Sequence, residues 1–196
     1  MHRFVILSGC SGGGKSSLLE ELARRGYSVV EEPGRRIVRE ETKQGGSALP
    51  WRDVAAFLRR AIALSLADRD AAPSQDWVFF DRGLIDAASA LQHVTGEPVL
   101  EELGPKHRYH PQVFLTPPWP EIYGTDAERR HSFDEAVAEY DRLLKTYPIL
   151  GYEVILLPKV GIRERADFVI ETLQRSSKTS ENPRAADKRQ CSPDAS

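Results

Sequence analysis

Residues 9–17 read Gly9-Cys10-Ser11-Gly12-Gly13-Gly14-Lys15-Ser16-Ser17, a complete G-x-x-x-x-G-K-[S/T] phosphate-binding loop. The apolar run Phe4-Val5-Ile6-Leu7 leads into it, and a helical pattern carrying Leu18, Leu19 and Leu22 follows. A strand delivers the backbone, and the glycines let it curl so that amide N–H groups face a phosphate chain. The next helix adds its positive N-terminal end. In this reading Gly9, Ser11, Gly12, Gly13, Gly14, Lys15, Ser16 and Ser17 cradle a nucleotide. Lys15 reaches the β- and γ-phosphates, and the Ser16 hydroxyl ligates Mg²⁺.

Outward from the loop, apolar runs alternate with helical periodicity. Strands are predicted at 3–8, 27–31, 76–81, 112–116 and 153–157, as near-continuous hydrophobic runs that suit a parallel sheet buried on both faces. Helices are predicted near 15–25, 34–43, 51–71, 84–95, 98–106, 132–147 and 160–175. The alternation predicts an α/β domain over residues 1–176: three layers, a phosphate-loop NTPase fold, with helices on both faces of the sheet. Residues 177–196 contain no Leu, Ile, Val or Phe and read as a polar, disordered tail.

Composition narrows the class. A net charge of −2 argues against an obligate nucleic-acid partner, because such domains are usually strongly basic. No apolar stretch is long enough to span a membrane. The short apolar run before the loop does not read as a cleaved signal. Cys10 and Cys191 are the only cysteines, which is no disulfide framework and fits a reducing, cytoplasmic setting. His107 and His110 have no cysteine nearby, so a structural zinc site is not expected.

Ligands of open parallel sheets bind at the carboxyl ends of the strands, and this chain concentrates polar residues there. Val78-Phe79-Phe80 ends in Asp81-Arg82. Asp81 either serves the site, holding Mg²⁺ beside the loop or orienting an acceptor hydroxyl, or caps the helix that starts near Leu84. Arg82 either holds a substrate or phosphate oxygen or makes a surface ion pair. Strand two ends in Glu31-Glu32-Pro33-Gly34-Arg35. Glu32 is a candidate base for an acceptor hydroxyl and Arg35 a candidate clamp for an anionic group; the alternative is an exposed acidic helix start. Further on, the polar segment 123–131 carries Arg129 and Arg130, which read as lid residues that offset charge on a transferring phosphoryl group. A helical stripe of Trp51, Val54, Leu58, Ala61, Ile62 and Ser65, broadened by Phe57 and Leu64, reads as core or as the wall of an acceptor pocket. Gly45-Gly46 supplies a hinge before it. Cys10 reads as a small filler of the loop.

These residues together resemble the small phosphate-loop kinases of the nucleoside and nucleotide kinase superfamily. The chain looks most similar to the AAA-like ATPase family typified by the ribosylnicotinamide kinase domain of NAD-biosynthesis regulators. The resemblance runs from about residue 3 to residue 175. It rests on the loop, Glu32-x-x-Arg35, Asp81-Arg82, Asp126-x-x-Arg129, Pro117-Pro118-Trp119 and Tyr147-x-x-x-Gly151-Tyr152. It implies binding of ATP and Mg²⁺, a twisted five-stranded parallel sheet, a closing lid, and a carboxylate base at Glu32. It does not fix the acceptor; the residues Glu32, Asp81-Arg82 and the lid arginines around a separate pocket read as an ATP-dependent phosphotransferase site for a small hydroxylated, nucleoside-like metabolite. The other reading is a nucleotide-gated switch that hydrolyses its nucleotide slowly and recruits a partner. Asn182 is the only asparagine, so the Asn-Lys-x-Asp guanine reader of Ras-type switches is missing.

Overall fold

A computed structural model describes residues 3–73, 76–123 and 132–181. Five strands form one sheet in the order β2-β3-β1-β4-β5, with every neighbouring pair parallel. They are β1 (Phe4–Gly9), β2 (Ser28–Val30), β3 (Val78–Asp81), β4 (Gln112–Thr116) and β5 (Glu153–Leu156). The helices are α1 (Lys15–Arg24), α2 (Pro33–Gln44), α3 (Val54–Ala71), α4 (Leu84–Thr95), α5 (Val99–Leu103), α6 (Phe133–Ile149) and α7 (Ile162–Glu181). A 3₁₀ turn at Pro120–Ile122, which the sequence pattern did not announce, follows β4.

The three layers follow from strand periodicity, because successive side chains on a strand point to opposite faces. On β1, Val5 and Leu7 join Leu18, Leu19 and Leu22 of α1 and Ala166, Val169 and Leu173 of α7. Ile6 faces the other way and joins Leu84 and Ile85 of α4 and Ala136, Tyr140, Leu143 and Tyr147 of α6. All three β1 side chains are fully buried, each contributing about 1.5–3 kcal/mol from burial.

The outer strands depart from the expectation of burial on both faces. Ser28 and Val29 of β2 and Glu153 and Leu156 of β5 are exposed. Both strands lie at the sheet edges, where one flank has no neighbouring strand to cover it. Two helix boundaries also differ from the pattern. The α3 helix begins at Val54 rather than near 51, because the Asp53 carboxylate accepts the Ala56 amide at 2.9 Å and caps it. The α7 helix runs to Glu181, past the expected domain end at 176. Gly45 ends α2 in the left-handed conformation and the Gly46 amide donates to the Glu41 carbonyl at 2.9 Å, so the expected hinge is a hydrogen-bonded helix end. Among the described residues, no helix is long and apolar enough to cross a membrane.

Candidate active site

The sheet places the ends of β1, β3 and β4 side by side, and the loop grows from the central one. Gly9 pairs with Thr116 of β4. The Cys10 amide donates to the Thr116 carbonyl at 2.9 Å, while the Thr116 hydroxyl donates to the carbonyls of Ser8 and Cys10 at 3.1 and 3.2 Å. Gly9 has φ +101°, and a Cβ there would lie 2.4 Å from the Thr116 carbonyl oxygen. Only glycine fits. Gly14 precedes α1 at φ +76° with no side chain capping the helix, which leaves the first-turn amides to a ligand.

Lys15 is buried and its ammonium donates to the Cys10 carbonyl across the loop at 2.9 Å. Burial pushes its pKa down and Arg82 adds to that, while Asp81 and Glu32 oppose it. Ser16 and Ser17 lie in the first turn of α1. The Ser16 hydroxyl donates to Asp81 Oδ2 at 3.3 Å, and Asp81 Oδ1 is buried with no hydrogen-bond partner. Burial and the neighbouring Glu32 push the Asp81 carboxyl up to about 6, against Lys15, Arg82 and Arg35. A hydroxyl and an orphaned buried carboxylate oxygen, side by side under the loop, are the hard oxygen donors that suit Mg²⁺. Among the described residues no group of three or more His, Cys, Asp or Glu side chains could hold a metal by itself. Cys10 is buried in the loop, and burial raises its thiol pKa against the pull of Lys15 and Arg82.

Asp81 does not cap α4. Gly83 takes that place, and its amide donates to the Asp86 carboxylate at 2.9 Å. Arg82, between them, has φ +62°, a left-handed backbone that costs a non-glycine residue on the order of 1 kcal/mol. The turn throws its guanidinium back over the sheet end. Nη1 and Nη2 each donate to the Glu139 carboxylate of α6 at 3.0 Å. Nε lies 3.3 Å from Glu32, and Nη1 lies 3.5 Å from Asp86. Burial alone would lower its pKa, but Glu139, Glu32, Asp86 and Asp81 outweigh burial and hold it above the usual range. Arg82 is therefore no surface ion pair; it is the part-buried hub of three carboxylates. Glu32 also meets Arg35 at 3.4 Å.

A cavity of about 440 Å³ opens beside this hub. Its lining combines Ser11 of the loop, Glu32, Arg35 and Arg82 with Trp51, Phe57, Leu58, Ala61 and Ser65. The predicted stripe thus divides. Leu58, Ala61 and Ser65 are buried, whereas Trp51 and Val54 are exposed. Arg129 and Arg130 lie outside the described residues.

Asp86, Glu135, Glu139 and Arg165, which sequence reasoning passed over, belong to the site together with Ser65 of the predicted stripe. Asp86 accepts hydrogen bonds from Ser8 and, at 2.7 Å, from Tyr147. Glu139 shares α6 with Glu135, one helical turn earlier, and both line the cavity; that i, i+4 acidic pair was the available signal. The Ser65 hydroxyl is buried without a hydrogen-bond partner. Arg165 of α7 donates to the Gly13 carbonyl at 3.0 Å and packs over the Trp119 ring at 5.5 Å. It is 4% exposed, has no ion pair with a described carboxylate, and burial lowers its pKa.

A family profile described as "AAA domain" matches residues 4–165. The chain belongs to that family. No curated protein matches its sequence significantly. Among solved structures, deoxyadenosine kinase from M. mycoides with bound dATP superposes with a TM-score of 0.60 at 13% identity. That match covers 88% of this chain and 100% of the other. Thymidylate kinase from Candida albicans gives 0.62 at 13% identity over 90% and 92% of the two chains. The NadR protein in complex with NR gives 0.61 at 20% identity, over 89% of this chain and 51% of that one. At such identities the likeness is one of fold. Together with the loop and the five-stranded parallel sheet, it gives this AAA-family chain the fold of the phosphate-loop kinases.

Proposed function

We propose that the chain is an ATP- and Mg²⁺-dependent phosphotransferase acting on a small hydroxylated, nucleoside-like metabolite. The observation that carries this reading is the cavity that reaches from Ser11 of the phosphate loop to Glu32 and Arg82. A hydrolase needs room for a water molecule; this space is of the size of a small organic ligand.

In this reading the loop amides and the open N-terminus of α1 take the phosphates of ATP, and Lys15 turns from the Cys10 carbonyl to the β/γ-oxygens. Ser16 and Asp81 would hold the Mg²⁺. Bound there, the ion supplies positive charge that polarises the phosphoryl group. Glu32 is favoured over Asp81 as the base, because Glu32 lines the cavity whereas Asp81 lies beneath the loop. Its carboxylate takes the proton as the acceptor oxygen forms its bond to the γ-phosphorus. The bond from that phosphorus to the bridging oxygen breaks, and ADP leaves with the bonding pair. Arg82, fixed by three carboxylates, holds Glu32 in place; Arg35 holds it from the other side. Arg129 and Arg130 are proposed to offset charge on the transferring group.

The test is an ATP-consumption screen of the full chain with Mg²⁺ against a panel of nucleosides and sugar-like alcohols, read by transfer of label from γ-labelled ATP. Label should appear on at least one acceptor hydroxyl. Uniform release as inorganic phosphate, unaffected by any acceptor, would refute the kinase reading.

A further inference from the structure

Asp86 is buried in the first turn of α4, and no step of the proposed transfer uses it. Three hydrogen bonds from three separate elements converge on its carboxylate. The Ser8 hydroxyl of β1 donates to Oδ1. The Gly83 amide, in the turn between β3 and α4, donates to Oδ2 at 2.9 Å, and the Tyr147 hydroxyl of α6 donates to the same oxygen at 2.7 Å. Oδ1 also lies 3.5 Å from Arg82 Nη1. Ser8 and Tyr147 are fully buried, and burial, reinforced by the Asp86 charge, keeps the Tyr147 hydroxyl protonated. A cap for α4 requires only the Gly83 amide, and a neutral glutamine at this third helical position would serve as well. The bonds from β1 and α6 span 78 and 61 residues of sequence and contribute nothing to capping. They cluster around a charge whose burial opposes folding.

Both ends of this arrangement touch the site. Ser8 immediately precedes Gly9, where the phosphate loop begins, and Gly83 immediately follows Arg82. Arg82 holds a left-handed backbone, φ +62°, of the kind that persists only where its surroundings over-determine it. Its amide donates to the Leu7 carbonyl at 2.9 Å, so the turn is stitched to β1 twice, once by backbone and once through Asp86. We infer that Asp86 is a positioning residue, which fixes the Arg82 turn against the end of β1 and thereby aims the guanidinium at Glu32. Tyr147 braces the carboxylate from α6. The consequence for phosphoryl transfer rests on the kinase reading; the restraint on Arg82 does not. A base displaced by about 1 Å loses on the order of 10²-fold in rate, whereas the loop keeps its own bonds to Thr116 of β4. Asp86 should therefore govern the chemical step and leave nucleotide binding alone.

The test follows the Arg82 Nε proton by NMR in the full chain with Mg²⁺ and a non-hydrolysable ATP analogue, the resonance being assigned by its loss in Arg82→Lys. In Asp86→Asn its exchange with solvent should quicken by about tenfold, the scale of one hydrogen bond to a charged group. With an acceptor that the chain phosphorylates, kcat should fall about 10–10²-fold while KM for ATP stays within about twofold. Ser8→Ala and Tyr147→Phe each remove one donor and keep the carboxylate and its Gly83 bond. Both should move the Arg82 exchange and kcat the same way, by less. Binding of the ATP analogue reports that each variant folds, and these two carry the test if Asp86→Asn does not. Unchanged Arg82 exchange, or an unchanged kcat, in the folded variants overturns the inference and leaves Asp86 a helix cap. A KM for ATP that rises as kcat falls overturns it too, since Asp86 would then support the loop. If no acceptor is phosphorylated, the kinase reading falls, and the Arg82 exchange alone decides whether Asp86 holds the turn.

Discussion

The phosphate loop and the acceptor cavity lie on the same sheet rim but are built in opposite ways. The loop is nine consecutive residues whose amides, glycine conformations and lysine act together because they are neighbours in sequence. The cavity takes its lining from the loop, α2, the segment before α3, α3 itself, α4 and α6. A loop of this kind carries its chemistry wherever the backbone curls correctly. A cavity of this kind exists only once the whole domain has folded, and its selectivity can drift by substitutions on separate helices. The two regions should therefore fail differently when damaged.

The largest expected effect falls on the loop. Lys15→Ala should lower turnover by about 10²–10³-fold or more, the cost of one preorganised donor to a developing phosphoryl charge. Calorimetry with Mg·ATP should show the affinity falling as well. Unchanged affinity would sever the loop from nucleotide binding. On the cavity side, Glu32→Gln should lower turnover by about 10²-fold, as for loss of a general base, with nucleotide affinity held. If both parameters fall together, Glu32 belongs to the nucleotide half of the site, and the division drawn between the two regions is wrong.

That division also explains what was legible in the sequence. Among the described residues, all five strands and all seven helices were predicted because hydrophobic periodicity is a local signal, and the loop because its chemistry is contiguous. Strand edges were misjudged, since nothing in Tyr27-Ser28-Val29-Val30 says that β2 is an edge strand with exposed side chains. Asp81 left two roles open in sequence. Only the fold shows that Gly83 and Asp86 do the capping and leave the Asp81 carboxylate under the loop. Glu139 and Arg165 were illegible for the same reason. Their partners, Arg82 and Gly13, are distant in sequence and are brought together by helices packing on opposite faces of the sheet.

Arg165 offers a finer test, because it touches the loop from outside. Its donation occupies the Gly13 carbonyl, and a loop carbonyl held by a cation is one whose oxygen does not repel a bound phosphate. Arg165 makes this bond as a buried guanidinium without a described carboxylate partner, an arrangement that opposes folding. Arg165→Met should weaken Mg·ATP binding by about tenfold, the scale of one charge-assisted hydrogen bond. The melting temperature should stay level or rise. A parallel loss of affinity and melting temperature would make Arg165 a packing residue only.

The smallest expected effect lies at Asp81, where the two regions meet and where stability and function oppose each other. Its folded pKa of about 6 stands above the ordinary value of 3.8 for an aspartate, chiefly through burial and then through Glu32. A group whose folded pKa is raised contributes stability that is fully present below the unfolded value and is lost as pH rises through the folded one. The ligand-free protein should therefore lose stability between about pH 4 and pH 6 on account of this carboxyl. Asp81→Asn removes the ionisation and keeps the shape. Its melting temperature relative to the unaltered protein should climb across that window, by about a few degrees, and level off above it. Added Mg²⁺ with ATP should reverse the order, stabilising the unaltered protein more, because only a carboxylate rewards a cation for binding beside Ser16. A difference in melting temperature that stays flat with pH would mean that Asp81 is already ionised at low pH, held by Lys15 and Arg82. Its charge would then belong to the folded scaffold as well as to the metal.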